Sequence, residues 1–216
     1  MEIEAVDGLR VLRLGDGPNQ FDATFVAELG HALDIIEADP DATTLVTVAD
    51  GKHYSNGFDL QFLGSLELDE LMAFMDRTSA TLARILVFPV PTVAAMNGHA
   101  FGIGALLALA HDQRVQNTDR GWFCLPEVDL QMRFNRFQLG LVVGKLSRPT
   151  ANEAVLSGRR WDAASCLAAG IVDAVAAPDD LVRVATEICA PRVGKPREIV
   201  RTLKGDLYAA MLATLE

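Results

Sequence analysis

Two loops of this 216-residue chain carry the residue types needed to hold a negatively charged oxygen. The first reads His53-Tyr54-Ser55-Asn56-Gly57-Phe58-Asp59-Leu60, and the second Asn97-Gly98-His99-Ala100-Phe101-Gly102-Ile103-Gly104. In each, a strand-like run ends, glycine lets the backbone turn, and a helical pattern begins with unpaired N–H groups at the positive end of its dipole. A glycine-rich turn taken alone is more often a structural device than a site. The third candidate is a carboxylate, Glu127, within Leu125-Pro126-Glu127-Val128-Asp129-Leu130. Leu125, Pro126 and Val128 surround it with apolar side chains, and desolvation of that kind raises a carboxyl pKa toward the range useful to a general base. Asp129 shares the face of Glu127 if the segment is a strand, which makes it a candidate partner.

Other chemistry-bearing residues read more plainly. His31, His53, His99 and His111 have no metal-ligand spacing, so no metal is expected. Cys124, Cys166 and Cys189 form no CxxC pattern and, being odd in number, no disulfide framework; they read as reduced, small apolar residues. Asp59 reads as a helix cap or loop anchor, and Asp112 as a partner for backbone or a basic residue. A formal net charge of −10 opposes nucleic-acid binding, which relies on Lys and Arg displacing counterions. The longest apolar segment, Ala100 to Ala110, is too short and glycine-rich to cross a bilayer, and MEIEAVDGLR lacks the basic-then-apolar order of a leader. A cytoplasmic protein is expected.

The elements that must position these residues alternate. Ile3 to Leu14 predicts a strand, broken by the turn cluster Gly15 to Asn19. Asp22 to Ala38 predicts an amphipathic helix, with Phe25, Val26, Leu29, Leu33 and Ile36 at helical spacing and Asp22 or Thr24 as N-cap. Thr44–Val48 and Pro91–Met96 predict buried parallel strands, with helices over Asp69 to Phe88 and from Ala105 to Ala110 between and after them, a βαβ pattern. Beyond Pro149 the chain predicts helices in ANEAVLSG, DAASCLAAG and PDDLVRVATEICA, and a last amphipathic stretch from Glu198 to Glu216. Half of the residues are hydrophobic, enough for one sizeable core. One domain is expected, with residues 1–150 as the core that carries the site and 151–216 as a helical C-terminal segment of the same domain.

Five segments in this order, GPNQFDATFVAEL, KHYSNGFDL, VPTVAAMNGHAFGIGALLALAHD, LPEVDL and NEAVLSGRRWDAASCLAAGIVDAV, closely resemble the enoyl-CoA hydratase/isomerase (crotonase) superfamily over nearly the whole chain. The SNGFDL loop looks most like that of the compact 3-enoyl to 2-enoyl-CoA isomerases. The resemblance implies an α/β fold with a (ββα)n spiral core and a helical C-terminal region that builds a homotrimer or a dimer of trimers. It implies an acyl-CoA thioester as substrate, with no further cofactor. It also implies that the thioester oxygen is held by the backbone N–H groups of Phe58 and Ile103, the latter standing where many relatives carry glycine. Lys52, Ser55, Asn56, Gly57, Asp59, Leu60, Gly102 and Leu106 fall at substrate- or CoA-binding positions, and Arg133, Asn135 and Arg136 in a region that lines the acyl pocket or its lid.

Hydratases of the superfamily use two glutamates. One position falls here on Leu106, which can neither hold a water nor move a proton, and the other on Glu127. One carboxylate suffices to take a proton from the carbon beside the thioester and return it two carbons further along. The expectation is therefore double-bond isomerisation in fatty-acid metabolism. The alternatives are an enoyl-CoA hydratase or other enolate chemistry, and a non-catalytic acyl-CoA-binding protein that kept the fold.

Overall fold

The computed structural model describes residues 1–215. The chain opens on an antiparallel hairpin, β1 (Glu2–Val6) and β2 (Leu9–Arg13), where the apolar run predicts one strand. It folds back at Asp7-Gly8, both at positive φ (44° and 85°), in the manner Asp-Gly turns favour. α1 (Ala23–Ala38) begins at Asp22, whose carboxylate accepts from Phe25 N at 2.7 Å, and it buries the five apolar residues that the spacing picks out.

Three ββα turns follow. The first is β3 (Thr44–Val48), β4 (His53–Ser55), α2 (Leu60–Gly64) and α3 (Leu68–Leu86). The second is β5 (Thr92–Met96), β6 (His99–Phe101) and α4 (Ile103–Ala110), and the third β7 (Gln113–Asn117), β8 (Phe123–Cys124) and α5 (Arg136–Lys145). The remainder comprises α6 (Arg148–Ser157), α7 (Ala163–Ala168), β9 (Ala174–Ala176), α8 (Leu181–Cys189), α9 (Arg197–Leu207) and α10 (Ala209–Leu212). The first strand of each turn joins one sheet and the second joins another, so the chain spirals. The larger sheet has the order β1-β2-β3-β5-β7-β9 and is parallel except at the hairpin; the smaller, β4-β6-β8, is wholly parallel.

The large sheet packs on both faces, which explains the continuous apolar runs of β3 and β5. Leu45, Ala94 and Met96 face the main core with α1, α3 and α4, while Val46, Val48, Val93 and Ala95 face Leu181, Ala185 and Cys189 of α8. β7 is buried throughout yet reads QRVQN, so apolar patterning misses it. Two of its amides donate to neighbouring turns, Asn117 Nδ2 to Asn97 O at 2.8 Å and Gln116 Nε2 to Gly121 O at 3.3 Å, while Gln116 Oε1 is buried without a partner.

The C-terminal helices are tied to this core. Lys204 of α9 donates to Phe88 O, Val90 O and the Asp112 carboxylate at 3.0, 3.1 and 2.6 Å. Arg197 donates to the carbonyls of Glu37 and Asp39 at the end of α1. The last amphipathic stretch breaks at Tyr208, between α9 and α10, and its final residue, Glu216, lies outside the described residues. No described helix is long and apolar enough to cross a membrane.

Candidate active site

The first loop joins β4 to α2. Gly57 takes φ 89°, and a Cβ there would stand 3.0 Å from Phe101 O in the second loop. Behind it, the buried Ser55 Oγ donates to Asn19 O at 2.7 Å and accepts from Gly57 N at 3.3 Å. Asn56 N donates to Pro18 O, Phe21 N to Gly57 O and Asp59 N to Phe21 O. The Asp59 carboxylate caps α2, accepting from Gln61 N and Phe62 N at 2.9 and 3.0 Å. The N–H groups of Asn56, Gly57 and Asp59 are thus engaged, and the Phe58 N–H is left without an acceptor among the described residues.

The second loop joins β6 to α4. Gly102 takes φ 52° and ψ −122°, a conformation side chains rarely tolerate, and donates to Cys124 O at 3.0 Å. Ile103 follows as the first residue of α4 in helical backbone, so the position that requires glycine is Gly102, and Ile103 is buried in the main core cluster. Its N–H belongs to the unpaired set at a helix start and has no acceptor among the described residues. The loops press together, because a Cβ on Gly104 would stand 2.5 Å from Ser55 O.

Glu127 lies just past β8, in a turn closed by Asp129 N and Leu130 N donating to Pro126 O and by Met132 N donating to Glu127 O. Its Oε1 is 3.4 Å from where a Cβ on Gly102 would stand, so the carboxylate closes on the second loop. Its Oε2 is buried and without a partner. Burial pushes the Glu127 carboxyl up to about 7, opposed only by its own backbone N–H.

These parts meet around a cavity of about 80 Å³, lined by Asn56, Gly57, Phe58, Leu60, Met75, Phe101, Gly102, Ile103, Leu106, Pro126, Glu127, Leu130, Met132, Arg133 and Gln138. Glu127 is its one carboxylate. Of the residues singled out from sequence, Glu127, Phe58, Ile103, Asn56, Gly57, Leu60, Gly102, Leu106 and Arg133 are brought together here. Ser55, Asp59, Lys52 and Arg136 are outside the lining. Ser55 and Asp59 hold the first loop from behind, and Lys52 is exposed, its carbonyl accepting from His99 N at 3.1 Å. Asn135 caps α5, accepting from Gln138 N at 2.8 Å and donating to Ser79 Oγ at 3.0 Å. Asp112 accepts from Thr92 N and Lys204.

Two sequence expectations change. Val128 is 44% exposed and forms no part of the wall around Glu127; folding supplies Met75, Leu106, Leu130 and Met132 instead. Asp129 lies in a turn rather than a strand, so the two-residue spacing does not put it on the face of Glu127; its carboxylate is directed at Gly158. Nothing local in sequence marks Met75 or Met132 as lining residues, whereas Phe101 and Leu130 lie within the second loop and the Glu127 segment. Gln138 carries one readable signal, the Asn-x-x-Gln spacing of a capping box. Among the described residues no three His, Cys, Asp or Glu side chains gather as metal ligands. His111 is buried between Leu107 O and Thr47 Oγ1, and burial holds it down at about 3.

Residues 6–216 match the family model described as enoyl-CoA hydratase/isomerase. The chain is 32% identical over 176 residues to the peroxisomal enoyl-CoA delta isomerase 1 of Arabidopsis thaliana, covering 79% of this chain and 72% of that one. It is also 32% identical over 190 residues to a probable enoyl-CoA hydratase of Mycobacterium tuberculosis, covering 85% and 70%. Among solved structures, the ligand-free enoyl-CoA isomerase of Mycobacterium tuberculosis superposes with a TM-score of 0.89 at 25% identity, over 99% of this chain and 93% of that one. A match over nearly the full length, on a fold of ββα turns that brings two glycine loops against one carboxylate, has one reading: the chain belongs to the enoyl-CoA hydratase/isomerase family.

Proposed function

We propose that this protein is an enoyl-CoA delta-isomerase that converts a 3-enoyl-CoA into the 2-enoyl-CoA. Relatives at the same identity are named isomerase and probable hydratase, so names do not separate the two reactions. The observation that carries the choice is the lining of the cavity, which holds one carboxylate, the acceptor-free N–H groups of Phe58 and Ile103 from the two glycine loops, and the apolar Leu106 on α4. Adding water requires a second group to hold and orient it; an allylic shift does not.

In this reading the thioester oxygen accepts from the Phe58 and Ile103 N–H groups. The Glu127 carboxylate takes a proton from the α carbon, and the electron pair left behind spreads onto that oxygen. Donors fixed in advance in a water-poor cavity stabilise the enolate without reorganising, and one such donor is worth about 3 to 4 kcal/mol of barrier. The enolate then closes the α–β double bond as the γ carbon takes the proton back from Glu127. One proton moves and no electrons leave the substrate, so the reaction itself calls for no cofactor. A carboxyl whose pKa lies near 7 gains and loses that proton with little bias at neutral pH.

The test is incubation with trans-3-hexenoyl-CoA, following conjugation by absorbance and product mass. Conversion without added mass, falling by about 10²- to 10⁴-fold in Glu127→Gln, is the expected result. Water addition at a comparable rate, or an unaffected Gln variant, would overturn the isomerase reading.

We also propose self-association, in line with the trimers implied by resemblance. Leu139 and Val143 of α5 and Leu156 of α6, at 43%, 60% and 63% exposure, share one apolar groove that a second copy would cover. The three cysteines are unpaired and buried, which suits a reducing compartment such as the cytoplasm.

A further inference from the structure

Gln138 is the one side chain of the cavity lining, besides Glu127, that is left with a buried unpartnered polar atom. The residue is 3% exposed and stands in the first turn of α5. Its Oε1 accepts from Asn135 N at 3.0 Å, which fixes the orientation of the amide, because a flipped amide would set two donors against each other. The remaining end, Nε2, is buried with no acceptor. An all-hydrocarbon acyl chain in the cavity offers it no acceptor. The donor would then be buried unpaired, which is how a polar pocket rejects an analogue lacking the matching group.

Arg133, an exposed residue, contributes to the lining of the same cavity and enters no ion pair among the described residues. No cation lowers the Glu127 carboxyl, so the charge of Arg133 is not spent on the base. With Asn56 of the first loop, the lining carries three donor-bearing side chains, of which the neutral amide of Gln138 and the guanidinium of Arg133 come from the same short segment. The thioester oxygen, held by the two loops, accounts for neither.

Resting on the isomerase reading, we propose that Gln138 and Arg133 form a polar acyl subsite, which selects short 3-enoyl thioesters bearing an acceptor oxygen, such as a carboxylate, beyond the double bond. Gln138 is a specificity residue here and takes no part in moving the proton.

The experiment compares kcat/KM for three substrates of equal chain length: trans-3-hexenoyl-CoA, its 6-hydroxy derivative, and the mono-CoA thioester of trans-3-hexenedioic acid. The wild type is expected to favour the oxygen-bearing substrates by roughly 5- to 150-fold. Gln138→Glu keeps an acceptor for Asn135 N, and so the cap of α5, but turns the donor into an acceptor; it should abolish the preference. Arg133→Met should lower the carboxylate substrate toward the hydroxyl one. A ratio between substrates is insensitive to how much protein folds or how fast the base works, so a merely structural Gln138 would leave it unmoved. Equal or better turnover of the plain chain by the wild type, or a ratio unchanged in Gln138→Glu, overturns the proposal. Calorimetric binding of hexanoyl-CoA against adipoyl-CoA reads the same preference without turnover. Absence of isomerisation with a retained preference would sink the isomerase reading and keep the subsite.

Discussion

Replacing Glu127 by Gln removes the one carboxylate of the cavity lining, a group whose ionisation burial opposes. Burial raises this carboxyl from 4.5 to about 7. At 1.36 kcal/mol for each pH unit, charging it in the folded state costs about 3 kcal/mol more than in the unfolded chain. The folded pKa lies above the unfolded one, so the native state holds the proton more tightly. This contribution to stability is whole below 4.5, declines as pH rises toward 7, and is gone above it. Urea unfolding of wild type and Glu127→Gln at intervals from about pH 5 to about pH 8 isolates it, because every other titrating group is common to both proteins. The wild type should lose about 2 to 3 kcal/mol relative to the variant across that range. Activity moves the opposite way. The base must be ionised, so kcat/KM for isomerisation should climb through a pKa near 7 and level off above it. A stability difference that stays constant, with a rate already level from about pH 5.5, would mean that Glu127 titrates as an ordinary carboxylate and that the cavity does not desolvate it.

Two further substitutions probe the scaffold. Gly104→Ala puts a Cβ 2.5 Å from Ser55 O and 2.6 Å from its Oγ, so the glycine loops must part; a stability loss of about 2 kcal/mol and a drop of about 100-fold in kcat/KM are expected from urea unfolding and isomerase assay. Asp112→Asn keeps an acceptor for Thr92 N but leaves the largely buried Lys204 ammonium without its counter-charge, which should cost about 3 kcal/mol; adding Lys204→Met should recover much of that loss in the same unfolding assay.

What the sequence discloses about the site follows from how far each interaction reaches. Gly57 and Gly102 are legible because a positive φ is a property of a few consecutive residues, and Asp22 and Asp59 because a cap bonds to its own helix. The environment of Glu127 is different. Its sequence neighbour Val128 faces solvent, and the desolvating wall arrives from α3, α4 and the turn before α5, through Met75, Leu106 and Met132. Helical periodicity announces that a residue such as Leu106 is buried but not which carboxylate it is buried against. The strands of the small sheet escape for a related reason. Two or three residues long, β4, β6 and β8 have too few side chains to show a period, and the pairing that defines them joins residues dozens of positions apart. Gln138 holds both kinds of information in one side chain. Its Oε1 is assigned by a three-residue spacing to Asn135 and can be read from the sequence; its Nε2 is left over by that assignment, and only the packing of α5 against the cavity determines that it is buried without a partner.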